Sequence, residues 1–225
     1  MLKPTNQVYE PLQKAYDFFN QELFNNELPD CLITLRSIKS GVLGYYWDSC
    51  FASTNDEITD EIAMNAKYFG TRSLDEVLAT LVHEMVHLWQ QHFGKPSRRT
   101  YHNKEWAKKM KDVGLQPSSS GKLGGDETGQ SMHHYIIDNG VFFITIKKLL
   151  ETDFHLLWFD RYIPNSTDLT KISTANIKKM VRLDNSKIKS KYSHTCEAGT
   201  FNVWGKAGIR LTCGVCKKSY VEETN

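Results

Sequence analysis

The sequence contains no apolar run long enough to cross a bilayer, and its first ten residues lack the apolar core of a secretory signal. An excess of one charge is also missing, because 28 Lys and Arg face 26 Asp and Glu, so the chain as a whole is not a polycation. We therefore expect a cytoplasmic protein. A hydrophobic share of 40% over 225 residues is enough for a packed core and argues against a disordered chain.

Cysteine is scarce, and its distribution is uneven. Three of the five cysteines, Cys196, Cys213 and Cys216, are close together near the end of the sequence. Because thiols stay reduced in the cytoplasm, this group is interpreted as metal-binding rather than disulfide-bonded. Cys31 and Cys50 stand alone and are expected to be buried as small apolar residues.

Apolar residues at helical spacing predict a helix within 8–24, a second over 74–93 and a third that begins near His102. Ser73 followed by Glu76 is a capping-box pattern, which indicates where the second helix begins.

Runs of β-forming residues predict strands within 32–38, 41–47 and 61–69. The Asn-Gly pair at 139–140 lies between two such runs and predicts a β-hairpin over 132–150. Near the C-terminus, two further β-segments are predicted at Phe201–Trp204 and Ile209–Thr212.

The stretch LVHEMVHLWQQHF carries two histidines four residues apart, with a glutamate beside the first. On a helix, His83 and His87 lie on one face, where both imidazoles can bind one zinc ion. Glu84 would then lie beside the ion and could act as general base and acid while a water attacks a carbonyl. Chance gives such a pattern roughly 0.016 times per chain of this composition, so ordinary polar helix residues are the weaker interpretation.

A catalytic zinc site usually has three protein ligands, and two candidates for the third follow in the sequence. His102 would complete a site of three imidazoles, whereas Glu105 would give a His-His-Glu site. The residues alone leave both open. His92 is expected on the surface, and His133 and His134 could line the cleft, although ordinary hairpin residues are the favoured interpretation.

The segment VHEMVHLWQQHFGKPSRRTYHNKEW resembles the SprT-like (Spartan-like) zinc metalloprotease family. That family's pattern is HExxH, fourteen residues and then H-x-x-E-[FW], which His102–Trp106 matches here. FNNELPDCLITL, GVLGYYW and EIAMNAKYF resemble its strand segments, so the likeness covers most of 15–115. The resemblance implies an α+β, zincin-type fold, with helices packed on a small antiparallel sheet. It also implies zinc endopeptidase activity, with His102 rather than Glu105 as third ligand.

The C-terminal segment resembles the zinc ribbon that follows the catalytic domain in this family. Cys213 and Cys216 form a Cys-x-x-Cys knuckle, which is half of such a ribbon. In the other half, Cys196 matches the first expected cysteine, but Gly199 occupies the place of the second. His194 could supply the fourth ligand; otherwise the site is three-coordinate or lost. We favour a second, structural zinc ion in a ribbon-like β-hairpin module.

Two stretches, 95–111 and 171–191, each contain seven basic residues and one acidic residue. A charge run of this kind is usually a solvated surface, but it can also contact the phosphate backbone of a nucleic acid. Because the best-known eukaryotic members of the family cut proteins crosslinked to DNA, the resemblance implies DNA as a partner. The candidate contacts are Arg98, Arg99, Lys104, Lys108, Lys178, Lys179 and Arg182.

These observations predict a metalloprotease domain over 1–165 with a hairpin insertion at about 126–165, a basic linker over 166–190, and a ribbon-like module over 191–225. The expected substrate is a protein. Two rivals stay open: a His-His-Glu peptidase, and a non-catalytic DNA-binding or regulatory zinc protein. Glu84 argues against the second rival, because a purely structural site has no use for a free carboxylate.

Overall fold

The computed structural model describes residues 3–36, 41–160, 189–206 and 208–223. The chain divides into two compact units, Met1–Ser173 and Thr174–Asn225. Within the described ranges, no helix combines the length and the apolar character needed to span a membrane. The predicted linker at 166–190, with Lys178, Lys179 and Arg182, lies outside the described residues except for its last two positions.

Helix α1 spans Pro4–Phe24 and begins earlier than the apolar pattern predicts. Proline suits the first position of a helix, because the N–H that it lacks would have no partner there. Asn25 and Asn26 adopt left-handed conformations with φ of 55° and 58°, which ends the helix. Its buried face supplies part of the core through Leu12, Ala15, Tyr16, Phe19 and Phe24.

The first sheet contains β1 (Leu32–Leu35), β2 (Gly44–Ala52) and β3 (Ile58–Met64) in the order β1-β3-β2. β2 and β3 are antiparallel, but β1 runs parallel to β3. The predicted antiparallel sheet is therefore wrong for one of its two strand pairs. A tight connection reverses the chain between β2 and β3, whereas β1 lies on the opposite edge of β3 and shares its direction.

Helix α2 spans Leu74–Phe93, as predicted, after a short 3₁₀ turn at Ala66–Tyr68. The capping box is present: the Ser73 hydroxyl accepts from the backbone at Glu76, and the Glu76 carboxylate accepts from the Ser73 N–H at 3.1 Å. Most of the middle of α2 is buried between the sheet and the other helices. This helix is therefore a rigid support for the side chains it carries.

Helix α3 spans Lys104–Asp112 and is followed by a two-stranded antiparallel sheet of β4 (Leu115–Ser118) and β5 (His133–Ile136). Helix α4 then spans Val141–Leu150, so the hairpin predicted there, and with it the hairpin insertion at 126–165, is wrong. The residue types favour strands, but the buried positions repeat at helical spacing. These positions are Phe142, Thr145, Ile146 and Leu149.

The C-terminal unit is a three-stranded antiparallel sheet of β6 (Lys189–Cys196), β7 (Gly199–Lys206) and β8 (Val221–Glu223), in the order β7-β6-β8. The segment predicted as a strand at Ile209–Thr212 is not one, because β7 pairs with β6 instead. Among the described residues of this unit, only three are buried. They are Tyr192, His194 and Cys213.

Candidate metal centres

His83 and His87 lie one turn apart on the buried part of α2, with their ring centroids 5.2 Å apart. The apolar residues around them fix the orientation of the helix, because one face of α2 packs into the core. As predicted, both imidazoles lie on the same side of the helix.

Helix α3 begins near His102, as the sequence predicted, and His102 itself lies two residues before the helix in an isolated β-bridge with Gly129. The backbone N–H of each of the two residues donates to the carbonyl of the other, at 2.8 and 3.1 Å. The His102 Nδ1 lies 3.1 Å from the Gly129 carbonyl oxygen, which can only accept a hydrogen bond. The proton is therefore on Nδ1, and Nε2 keeps its lone pair; this nitrogen lies 3.1 Å from Nε2 of His87.

One ring nitrogen from each of His83, His87 and His102 lies within 4.8 Å of the other two, and we call this group the N-terminal cluster. The fully buried Trp106 packs against all three rings, with centroid distances of 4.3 to 5.3 Å. Burial is the main cause that lowers the pKa of each imidazole, to about 3 for His87. Neutral imidazoles are the form that binds a metal, so the donor set fits a zinc ion.

Glu84 directly follows His83 on α2 and is buried, but it contributes no ligand atom to the N-terminal cluster. Its carboxylate faces β2 at Gly44, where a Cβ atom would lie 3.2 Å from Oε1 and 2.9 Å from the Ala63 carbonyl oxygen. The missing side chain at Gly44 therefore leaves room for the carboxylate. Burial raises the pKa of Glu84 to about 8, so the carboxyl group retains a proton at neutral pH until a cation binds nearby.

Glu105 is held away from the cluster by hydrogen bonds at the end of α2. Its Oε2 accepts from the backbone N–H of Lys95 at 2.6 Å and from Nε2 of Gln90 at 2.8 Å. These two bonds lower the pKa of Glu105. The carboxylate thus anchors the connection between α2 and α3, and the geometry favours His102 as the third donor.

His134 on β5, which the sequence offered as a possible cleft residue but favoured as an ordinary hairpin residue, contacts His83. Its Nδ1 lies 3.0 Å from Nδ1 of His83, and its Nε2 is buried with no hydrogen-bond partner among the described residues. Burial is the main cause that lowers its pKa, to about 3. The sequence of the predicted strand does not indicate the contact between His134 and His83, because that contact depends on how β5 packs against α2.

His92 points away from the cluster, as expected, and its ring is half-buried. Its Nε2 lies 2.7 Å from Oδ2 of the buried Asp60 on β3. Asp60 also accepts from the backbone N–H of Ser49 and the hydroxyl of Tyr46, both at 2.7 Å. Burial raises the pKa of Asp60, but these hydrogen bonds outweigh it and the pKa is lowered. The contact ties the end of α2 to the sheet.

A second group of converging donors, the C-terminal cluster, lies in the other unit. One ligand atom from each of His194, Cys196, Cys213 and Cys216 lies within 4.8 Å of the others. The His194 Nε2 is 2.9 Å from the Cys216 sulfur. Gly199, with φ of 119°, is the first residue of β7 and pairs with Cys196 directly after the turn from β6. This arrangement is compatible with a four-ligand zinc site in which His194 replaces a fourth thiol.

Four of the predicted nucleic-acid contacts are exposed: Arg98 and Arg99 in the loop between α2 and α3, and Lys104 and Lys108 on α3. The Arg99 guanidinium lies 4.5 Å from the ring centre of Trp47, and the Arg98 guanidinium lies 5.0 Å from that of Tyr101. The other three candidates are outside the described residues. Cys31 is partly buried, but Cys50 is exposed, so the expectation for Cys50 is wrong.

An α+β unit in which three imidazoles converge, with the buried Glu84 next to one of them on α2, defines a candidate metal-binding domain. The model of the SprT-like family matches residues 12–123. The chain therefore belongs to the SprT-like family through this domain.

One curated relative, an uncharacterized protein in the mucB 3' region of Salmonella typhimurium, is 64% identical over 36 residues. That match covers 16% of this chain and 49% of the relative, so the chain spans about half the length of the curated protein it matches. No solved structure matches the chain.

Proposed function

We propose that the SprT-like domain is a zinc-dependent endopeptidase. The observation that carries this proposal is the buried Glu84 beside the N-terminal cluster, to which it contributes no ligand atom. A structural zinc site is normally closed by four protein ligands, whereas a catalytic site has three and leaves one position open. Three imidazoles with a free carboxylate alongside fit the catalytic type.

In this proposal, His83, His87 and His102 hold the ion. When bound, zinc supplies Lewis acidity, which polarises a carbonyl and makes a water acidic enough to attack it near neutral pH. A nearby cation also favours the ionised form of Glu84. The carboxylate then accepts a proton from the attacking water and later donates it to the leaving amine.

The strand β2 offers a place for a peptide substrate. It is an edge strand of the first sheet, as far as the described residues extend, and at Gly44 it passes over the Glu84 carboxylate. An extended peptide can add to such an edge through main-chain hydrogen bonds. This mode of binding does not require a chain terminus, which favours an endopeptidase.

The basic loop between α2 and α3 supports DNA as a second partner. Exposed Arg98 and Arg99 follow the metal-binding helix directly and lie over the aromatic rings of Tyr101 and Trp47. Arginines beside aromatic rings, of which Trp47 is exposed and Tyr101 partly buried, suit single-stranded nucleic acid, where phosphates and bases are both accessible. We therefore propose that the domain acts on proteins bound or crosslinked to DNA. The C-terminal cluster holds a structural zinc ion in this account.

Cleavage of an unfolded protein such as casein tests the proposal. Metal-free protein should be inactive, and added zinc should restore cleavage. A protein that binds zinc but never cleaves, with or without single-stranded DNA, would support the non-catalytic alternative instead.

The proposed DNA partner is tested separately by measuring the affinity for a single-stranded oligonucleotide at increasing salt concentration. Arg98→Ala and Arg99→Ala should each weaken binding and reduce the salt slope by about 1. Lys148→Ala, which removes an exposed basic residue of α4 away from this loop, is the control and should change neither. Equal effects of all three variants would argue against a specific DNA surface.

A further inference from the structure

We infer that His134 is a positioning residue that accepts a hydrogen bond from His83 and thereby directs the other nitrogen of His83 toward the metal. This inference rests on the proposed zinc site and deepens it. The contact joins two elements that are far apart in the sequence, because His83 lies on α2 and His134 lies on β5.

The positions of the ring hydrogens in His83 and His134 follow from the geometry of their contact. Two Nδ1 atoms 3.0 Å apart can form a hydrogen bond only when one of them carries the hydrogen. A metal ligand must offer a lone pair, and the Nδ1 of His83 is occupied by His134, so the nitrogen left for the ion is Nε2. The hydrogen of His83 is then on Nδ1, and His134 accepts at its own Nδ1.

The remaining nitrogen of His134 supports this assignment. With its Nδ1 accepting, neutral His134 carries its hydrogen on Nε2, where the described residues provide no partner. Leaving a buried N–H unpaired costs stability. This cost is explained if the other nitrogen of His134, Nδ1, has a function. Residues that bind the second ring nitrogen of a metal-binding histidine usually orient that histidine toward the metal.

His134 differs from the three donors in its placement. Among the described residues, the ligand atoms that converge on one point at this end of the molecule come from three histidines, and His134 is not one of them. Its strand pairs with β4, where His134 lies opposite Pro117, so the backbone holds it independently of any ion. The structure therefore places His134 against His83 and outside the group of three converging nitrogens.

Two substitutions of equal shape test the inference. In His134→Asn, the side-chain oxygen can occupy the position of Nδ1 and accept the bond; His134→Leu has the same outline but no acceptor. Both remove the rest of the ring, so they share any loss of packing. The measurements are the zinc dissociation constant by chelator competition, the His83 Nδ1–H resonance by NMR, and the thermal unfolding of the metal-free proteins.

We expect His134→Leu to weaken zinc binding at the N-terminal cluster by about 10- to 100-fold. His134→Leu should also abolish the protected His83 Nδ1–H signal. His134→Asn should retain most of the zinc affinity and most of this signal. Equal affinity of wild type and the Leu variant would overturn the inference and leave the proposed zinc site intact. Equal weakening in both variants would overturn it too, because the ring itself would then matter as a ligand or by packing. Wild-type protein that binds no zinc at these histidines would overturn the site and the inference together.

Discussion

The two candidate metal centres differ in the number of donors and in the structure that holds them. The N-terminal cluster has three imidazoles, carried by a buried helix and a bridged loop, with Glu84 beside them. The C-terminal cluster has four donors, two on β6 and two in the loop before β8, in a unit that buries few of its described side chains. Three donors leave one position of a tetrahedral ion open, whereas four donors close it.

This difference indicates which centre depends on metal for its fold. The N-terminal donors are positioned by packing, because α2 lies within the hydrophobic core and Gly129 fixes His102. The C-terminal unit has little core of its own, and such small domains usually need a metal or disulfides. Under the proposed function, the fold of the N-terminal domain prepares a site for chemistry, whereas the metal of the C-terminal unit maintains its fold.

Metal removal should reveal the largest difference between the two units, because it should unfold one and leave the other folded. Structural zinc contributes on the order of 10–16 kcal/mol in small zinc domains, so chelation should unfold residues 189–223 and leave α2 and the first sheet folded. Hydrogen exchange measured residue by residue checks this prediction.

Cysteine variants provide the matched control for that experiment. Cys213→Ser should reproduce the loss of protection in the C-terminal unit even with zinc present, whereas Cys50→Ser, which changes an exposed thiol outside the cluster, should not. Protected amides that persist in the metal-free C-terminal unit would show that this fold stands without its ion.

Removal of the third donor should give the next largest effect, which is loss of zinc from the N-terminal cluster. His102→Ala should lose the N-terminal ion under conditions where wild type retains it, because two imidazoles remain. Glu105→Ala should keep the ion and lose only the anchor of the connecting loop, with a modest fall in stability. Zinc content per chain checks both variants. The opposite pattern would revive the His-His-Glu site.

Gly44→Ala should reduce cleavage without removing zinc. The added Cβ would lie 3.2 Å from the Glu84 Oε1 and 2.9 Å from the Ala63 carbonyl oxygen, so the carboxylate or the strand must shift. A displacement of about 1 Å at a catalytic group can cost about 100-fold in rate. Cleavage rate and zinc content, measured on the same preparation, check the prediction; unchanged cleavage would mean that Glu84 does not need this space.

Asp60→Asn should produce the smallest effect, a loss of about 1–3 kcal/mol in the free energy of unfolding at neutral pH. Because the pKa of Asp60 is lowered in the fold, its stabilisation is complete above the ordinary aspartate pKa, about 3.9, and is lost as the pH falls through the lowered value. Urea unfolding of wild type and variant at several pH values measures this. A difference that grows toward acid pH would contradict the account.

The sequence predicted the helix that carries the metal-binding motif because its signals are local. Apolar spacing and the capping box at Ser73 and Glu76 act within a few residues, and the observed bounds agree with those expected. The choice of His102 as third ligand depended on the family resemblance instead. The position of His102 is set by a bridge to Gly129, 27 residues further along the chain.

The errors have physical causes that are equally specific. The residues of α4 favour strands, yet Phe142, Ile146 and Leu149 face the core at helical spacing, and tertiary packing overrode the propensity. The direction of β1 relative to β3 could not be predicted, because it depends on which edge the strand occupies. His134 could be named only as a possible cleft residue, because its contact with His83 exists only once α2 and β5 have packed together.

The Glu84→Gln variant tests the central claim most directly, through its zinc content and its rate of peptide-bond cleavage. Glutamine has nearly the same shape but cannot accept and donate the proton. The account predicts the same zinc content as wild type and a fall in the cleavage rate of about 10²- to 10⁴-fold. Cleavage at the wild-type rate, or loss of the N-terminal ion, would contradict the assignment of Glu84 as a free general base beside three histidine ligands.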